Sequence, residues 1–210
     1  MDWIPFVGAR KSRYEQQHGQ LDERALVRQG NVAYAAGLGL MMAGREDAAE
    51  WYRRAAARWR ESWDAGGSPE AWGRPVGALK ASLLAGDEPA VERLAGWTLE
   101  LGSATAASPI GRYAAALALL ALGRDAEARH VAEALRGRDD FPTDVADTLA
   151  AIAAADGSAY AEAVGSVVRS FETREEYLED AAVADTALVL ARLAERRGLD
   201  AQLPASPVLP

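Results

Sequence analysis

The 210-residue chain contains no cysteine and only two histidines, His18 and His130. The first absence excludes disulfides, thiolate metal sites and cysteine nucleophiles. The second leaves few ligands for a histidine-rich zinc site and few partners for a catalytic triad. Walker, GxGxxG, HExxH, GxSxG and EF-hand motifs are also missing from the sequence. We therefore expect no cofactor, no metal and no enzyme of the common classes.

Long apolar runs and an excess of positive charge are missing as well. The longest apolar stretch, 113–122, has ten residues, whereas a transmembrane helix needs about 18 or more. Residues 1–14 hold no apolar run of signal-peptide length. With 31 acidic against 23 basic residues, the formal net charge is −8. Nucleic-acid and anionic-membrane binders are normally basic, so we predict a soluble, cytoplasmic protein without either partner.

The residues that are abundant favour α-helix. Alanine, leucine, arginine and glutamate dominate a chain that is 50% hydrophobic, and all four are good helix formers. Period-2 runs of β-branched residues, which strands need, are absent from the sequence. Apolar segments end at glycine turns and more charged segments follow; the turn glycines are Gly44, Gly86, Gly123, Gly157 and Gly198. Their spacing of 34 to 42 residues is typical of stacked two-helix repeats.

This pattern predicts an all-α fold of about nine helices, arranged as stacked antiparallel αα-hairpins. The predicted helices span 22–43, 46–64, 69–85, 88–101, 109–122, 125–136, 143–155, 158–172 and 178–197. We expect one repeat domain over 21–199, an irregular N-terminal arm over 1–20, and an extended, proline-rich tail over 200–210. Within each pair the first helix is apolar and should lie inside, and the last helix should cap the array.

One segment resembles a known repeat family. Residues 44–55 read Gly-Arg-Glu-Asp-Ala-Ala-Glu-Trp-Tyr-Arg-Arg-Ala, which is similar to the centre of a tetratricopeptide repeat, and 86–90 and 123–128 are partial copies. The resemblance covers 22–172 and implies a right-handed array with a partner-binding concave face. The chain departs from the family in its short first turn, its drifting period and its lack of the early Trp-Leu-Gly-Tyr signature. In its alanine-rich, helical character the chain also resembles all-α bacterial immunity proteins.

Polar and aromatic side chains interrupt the apolar first helices, which line the concave face of a stacked array. The predicted partner-binding residues are Asn31, Tyr34, Trp72, Arg74, Lys80, Arg112 and Tyr113. Lys80 and Arg112 stand in almost wholly apolar surroundings. A cation so placed extends to solvent, pairs with a buried acid or faces a groove. Several cations in one groove would make it locally basic, suited to an acidic peptide or a carboxylate ligand.

Three tryptophans, Trp51, Trp59 and Trp63, lie on one predicted helix at spacings of eight and four. They share roughly one face of that helix. Two interpretations stay open, because tryptophan serves both as core and as interface anchor. The rings either pack between neighbouring helices or form an oligomer interface in a homodimer.

The acidic stretch 172–180 places carboxylates at i, i+3 and i+4 spacing, as a divalent-cation or acid–base site requires. No histidine lies nearby, so we interpret it as a solvated loop whose acids favour the start of the next helix.

The leading hypothesis is a non-enzymatic protein–protein interaction module that holds a partner segment in a concave groove. Such a module would serve as an adaptor or, in a narrower version, as an immunity or regulatory protein that blocks another protein by binding it. One alternative is a helical pocket for a carboxylate or phosphate ligand, with or without enzymatic activity. The other is a self-associating structural protein.

Overall fold

The computed structural model describes residues 2–17, 19 and 21–210. Within them the chain forms ten α-helices and no strands. In chain order the helices are α1 (Trp3–Glu15), α2 (Glu23–Met42), α3 (Ala48–Asp64), α4 (Gly73–Ala85), α5 (Glu88–Glu100), α6 (Pro109–Ala121), α7 (Asp125–Arg136), α8 (Thr143–Ala153), α9 (Gly157–Glu172) and α10 (Asp185–Glu195). Short 3₁₀ turns occupy Ser103–Thr105 and Leu178–Asp180.

Successive helices from α1 to α9 pack against one another, as expected for an all-α repeat-like array. The inner helices α4, α6 and α8 also contact each other in turn. Their buried alanines and leucines form a continuous core, and Leu79, Leu117 and Leu149 have no solvent exposure. The predicted fold class is therefore confirmed.

Aspartate side chains and left-handed glycines mark several helix ends. The side chains of Asp22 and Asp87 accept hydrogen bonds from backbone N–H groups in the first turns of α2 and α5, at 2.7 and 3.1 Å. Gly86 ends α4 in the left-handed region, at φ 65°, which costs glycine nothing. Among the five predicted turn glycines the exception is Gly157, which begins α9, while Ala155 before it adopts φ 52°.

The predicted irregular arm is wrong for residues 3–15, which form α1. Asp2 caps this helix by accepting from the Ile4 N–H at 3.3 Å. Its apolar face is short, because only Phe6 and Val7 are buried. A Cβ on Gly39 of α2 would stand 2.8 Å from Val7, so α1 packs closely on α2. The few apolar residues near its start did not extend far enough to show a helical period. His18 lies outside the described residues.

Helix α10 extends further than the predicted cap. It contacts α8 and α9 at the end of the array and also α4. Leu190 and Leu193 on it have no solvent exposure. Near its carboxyl end, Arg197 donates to the Leu120 carbonyl at the end of α6, at 2.8 Å. The chain's own last helix therefore occupies part of the inner surface that the repeat pattern reserved for a partner.

The residues on either side of α10 are not helical. Residues 173–184, which we call the strap, join α9 to α10 and contain only the 3₁₀ turn at Leu178–Asp180. Residues 200–210 contain no helix. Val208 of that tail is buried, and its carbonyl accepts from the Ala184 N–H at 2.8 Å. The tail thus returns to the start of α10 and is bonded to the strap there.

Candidate functional site

A cleft of about 380 Å³ opens between α2, α4 and the strap. Four predicted partner-binding residues line it together, namely Asn31, Tyr34, Arg74 and Lys80. The rest of the lining is mostly apolar and comes from Val27, Trp59, Ala71, Gly73, Val76, Gly77 and Leu178, with Asp185 at the base. Helical spacing explains this convergence, since Val27, Asn31 and Tyr34 are four and three residues apart on α2 and share one face.

The polar groups at the cleft floor are bonded to one another. Lys80 Nζ forms an ion pair with Asp185 Oδ2 at 2.5 Å and donates to Thr186 Oγ1 at 3.0 Å. The Tyr34 hydroxyl donates to the same Asp185 oxygen at 2.8 Å. Burial and the neighbouring Asp185 carboxylate raise the pKa of Tyr34 well above its ordinary value. Of the three roles open to Lys80, pairing with a buried acid is the one observed.

Trp59 forms one side of the cleft and is held tightly. A Cβ on Gly30 or Gly77 would stand 2.7 or 2.8 Å from its ring, so the two glycines let α2 and α4 close on the indole. Its Nε1–H donates to Asn31 Oδ1 at 3.1 Å. Because an indole N–H can only donate, this bond turns the amide oxygen of Asn31 toward the ring. The Nδ2 donors of Asn31 therefore point away from Trp59.

Arg74 also lines the cleft, but its guanidinium is engaged. It forms an ion pair with Glu23 at the start of α2 and donates to the Ser62 carbonyl at 3.0 Å. Desolvation by burial lowers the pKa of Arg74. The predicted locally basic groove is thus corrected, because the acids Asp185 and Glu23 neutralise both cations of the cleft.

Three predicted partner-binding residues lie outside the cleft lining. Trp72 is buried and donates to Glu70 Oε2 at 3.3 Å. The Nε–H of Arg112 donates to the Ala106 carbonyl at 2.9 Å. Tyr113 is buried, with its ring centroid 5.5 Å from that of Phe141. Each of them contributes to a local turn or to the core.

The tryptophans of α3 divide between core and surface. Trp51 and Trp59 are only 4% and 5% exposed and belong to the core of the N-terminal half. They are therefore unavailable as an oligomer interface. Trp63 is half-buried, and its ring centroid lies 5.8 Å from that of Trp97 and 6.0 Å from that of Trp72.

Sequence reasoning missed two residues that shape the cleft. Asp185 supplies the floor carboxylate, and Leu178 forms part of the wall although it is 46% exposed. A signal for Asp185 exists, because it is a lone acid in an apolar segment, just as Lys80 is a lone cation. Two such residues in one core are expected to pair. Leu178 carried no comparable signal, since it was predicted to begin the last helix.

Two larger hollows of about 510 Å³ lie on the charged outer side of the helices. One lies between α7 and α9, and exposed charged residues such as Arg129 and Glu162 line it. The other separates α3 from α5 beside Arg60 and Trp97. Neither brings predicted partner-binding residues together around a buried polar network. The cleft is therefore the candidate site.

No metal centre emerges among the residues that the structure describes, where no group of three or more histidine, aspartate or glutamate side chains is placed to hold an ion. His130 is exposed on α7. In the acidic stretch, Glu179 pairs with Arg13 and Asp180 with Arg10, so these two carboxylates serve ion pairs.

In comparisons with known proteins, no family model, curated protein or solved structure matches the chain. In the described part of the chain, no helix combines the length and apolar character needed to span a membrane.

Proposed function

We propose that this chain is a non-enzymatic binding module whose cleft receives an apolar side chain from a segment of a partner protein. The observation that carries the proposal is the convergence of Asn31, Tyr34, Arg74 and Lys80 on one hollow with largely apolar walls. A volume of about 380 Å³ lies in the lower part of the range for binding pockets, roughly 300–1,000 Å³. This size suits a single anchor better than a long segment.

The chemistry of the lining supports an apolar anchor. Val27, Val76 and Leu178 offer aliphatic surface beside the Trp59 indole, and burial of apolar area is the main source of binding free energy in such sites. Lys80 and Arg74 already have acceptors within the chain, so an acid on the partner would have to compete with them. The partner's contribution should therefore be shape and apolar area rather than charge.

The Asn31 amide supplies the polar complement. The Oδ1 atom of Asn31 already accepts from the Trp59 indole. Its Nδ2 donors are therefore left for a carbonyl oxygen of the entering backbone. One donor beside an apolar hole orients a peptide without demanding a charged residue. The tetratricopeptide-like assignment and the immunity or regulatory role are likewise proposals.

The test is to fill the cleft from a position that tolerates a side chain. Gly73 lines the cleft, and a Cβ built there meets no atom within 4 Å. Gly8 on α1 is exposed, equally open and outside the cleft. Tagged wild-type protein, Gly73→Trp and the control Gly8→Trp are incubated with a lysate of the source cells, and bound proteins and small molecules are quantified by mass spectrometry.

We expect one stoichiometric protein partner with wild type and Gly8→Trp, and a loss of about ten-fold or more in affinity, near 1.4 kcal/mol, with Gly73→Trp. Retention of the partner by Gly73→Trp would place the interface elsewhere. A co-purified metabolite displaced by Gly73→Trp, with no protein partner, would replace this proposal by the ligand-pocket alternative.

A further inference from the structure

The wall of the cleft that carries Leu178 is built differently from the others. It belongs to the strap, 173–184, whereas the remaining lining comes from α2, α3, the α4 region and the start of α10. Leu178 is one of the few large apolar residues that stay substantially exposed. An exposed apolar side chain on an irregular segment beside a hollow is well placed to meet an incoming anchor.

The backbone just after Leu178 is strained. Glu179 and Asp180 adopt φ 53° and φ 59°, the left-handed region that side chains with a Cβ rarely occupy. Two such residues in succession persist only where surrounding contacts impose the conformation. The contacts that impose it here should therefore decide where Leu178 stands.

The side-chain hydrogen bonds among those contacts come from α1, at the opposite end of the chain, and α2 also packs against this turn. Arg10 Nη2 donates to the Glu179 carbonyl at 2.6 Å and to Asp180 Oδ2 at 3.3 Å. Arg13 Nη1 donates to Glu179 Oε2 at 2.6 Å. The Arg10 guanidinium lies over the Phe6 ring, 4.0 Å from its centroid, and only 14% of its side chain is exposed. Packing against Phe6 thus holds the Arg10 side chain in place independently of its bonds to the strap.

The strap is anchored separately on both sides of this turn. The Tyr177 hydroxyl donates to the Phe171 carbonyl at the end of α9. Ala181 and Val183 are buried in the core of the N-terminal half. Residues 178–180 therefore form a short span between two fixed points, with α1 supplying side-chain bonds to its two strained residues.

We infer that Arg10 and Arg13 are positioning residues for the cleft: they latch residues 178–180 in the strained conformation that keeps Leu178 in the cleft wall. When the latch is broken, the turn relaxes and the wall opens. Because Asp180 is exposed and Arg13 is half-exposed, salt should weaken the latch. The inference rests on the proposed function for the meaning of the cleft, but the latch is measurable without any partner.

The first measurement is hydrogen exchange at the two amides that close the turn, Asp180 N–H to the Tyr177 carbonyl and Ala181 N–H to the Leu178 carbonyl, both at 3.1 Å. The double variant Arg10→Ala, Arg13→Ala should exchange these amides at least about ten-fold faster, with α10 amides unchanged. Arg124→Ala, which breaks an exposed ion pair with Glu127 on α7, is the matched control and should have no effect there.

The second measurement reports on the cleft itself. Since the chain has no cysteine, Val76→Cys places a single thiol on a buried lining position. Its reaction with a thiol reagent should accelerate when the two arginine substitutions are added. It should also accelerate in the chain that carries Val76→Cys alone when salt rises from about 0.1 M to about 1 M, which shortens the Debye length from roughly 10 Å to roughly 3 Å.

A charge swap separates latching from general structural support. Arg13→Glu alone should behave like the double variant, and adding Glu179→Arg should restore slow exchange and slow labelling. Unchanged exchange in the double variant overturns the latch. Faster exchange without faster labelling of the Val76→Cys thiol overturns its link to the cleft. Neither result depends on whether Gly73→Trp blocks a partner, so failure of the latch and failure of the proposed function are distinguishable.

Discussion

At the scale of single residues, the cleft floor depends on one shared carboxylate. Asp185 accepts from both Lys80 and Tyr34, and the side chains of Lys80 and Asp185 are only 11% and 16% exposed. A charge this far from water is costly unless it is paired. The pair therefore serves first to let α4, α2 and α10 meet at this point.

We expect Lys80→Ala to lower the free energy of unfolding by about 3 kcal/mol, because it leaves the Asp185 carboxylate without its cation. The double variant Lys80→Met, Asp185→Asn should lose clearly less, since it removes both charges and keeps an acceptor for Tyr34. Urea denaturation of Lys80→Met, Asp185→Asn and the double variant gives the coupling. Strictly additive losses would show that the pair is energetically unimportant.

Buried tyrosines add a pH dependence at the same scale. Burial raises the pKa of Tyr34, Tyr52, Tyr113 and Tyr160 above the ordinary value of 10.0, in the last case to about 12. For Tyr160 the carboxylates Glu195 and Asp200 add to the effect of burial. The folded state thus holds these protons more tightly than the unfolded state.

Stability from the tyrosines is fully present below pH 10 and is lost as the pH rises above it, because the unfolded chain then releases protons first. We expect the free energy of unfolding to fall between pH 10 and about 12. Tyrosinate formation by four of the six tyrosines should coincide with the loss of helical circular dichroism. Formation of more than two tyrosinates well before the loss of helix would contradict the assignment.

At the scale of elements, close approach of helices depends on small residues at fixed points. The Trp59 ring lies between Gly30 of α2 and Gly77 of α4, so it cannot retreat from an added methyl group on either side. At Gly77, helix propensity therefore favours alanine, whereas packing against Trp59 favours glycine. In an open helical position, alanine would be favoured by up to about 1 kcal/mol.

Gly77→Ala should lower the free energy of unfolding by about 1–3 kcal/mol through overpacking against Trp59. Gly96→Ala is the matched control, because Gly96 lies within α5 and a Cβ there meets nothing within 4 Å. It should be neutral or stabilising. Thermal unfolding of both variants decides the point, and the Gly77→Ala loss should shrink in a Trp59→Phe background. An equal response at both glycines would remove the packing argument.

At the scale of the whole molecule, residues 173–210 join the N-terminal half of the chain to the rest. Helix α10 contacts α4, α8 and α9, and the strap brings Ala181 and Val183 into the same core as Phe6 of α1. Arg196 pairs with Glu88 and Arg197 with Asp125. The inner surface that a simple repeat array would leave open is thus partly filled from within, and the cleft is the hollow that remains beside α2.

The helices from α2 to α9 could be predicted because their signals are local. Caps such as Asp87 and left-handed glycines such as Gly86 lie within a turn of the boundary they set. The predictions failed where local signals were weak. Helix α1 was missed, and α10 begins at Asp185 instead of the predicted 178. The backbone adopts left-handed φ values at Glu179 and Asp180, between these two positions. Of the cleft, only the residues on the first helices could be anticipated.

The sequence by itself determined that the protein is helical, where most of its helices begin and end, and which isolated polar residues stand in apolar surroundings. Backbone hydrogen bonds in a helix join residues four apart, so these properties depend on near neighbours. Only the tertiary structure decided that Lys80 meets Asp185, that Trp51 and Trp59 are core, and that α10 lies against the inner helices. Those contacts join distant parts of the chain, and which of them form depends on how the apolar faces pack together.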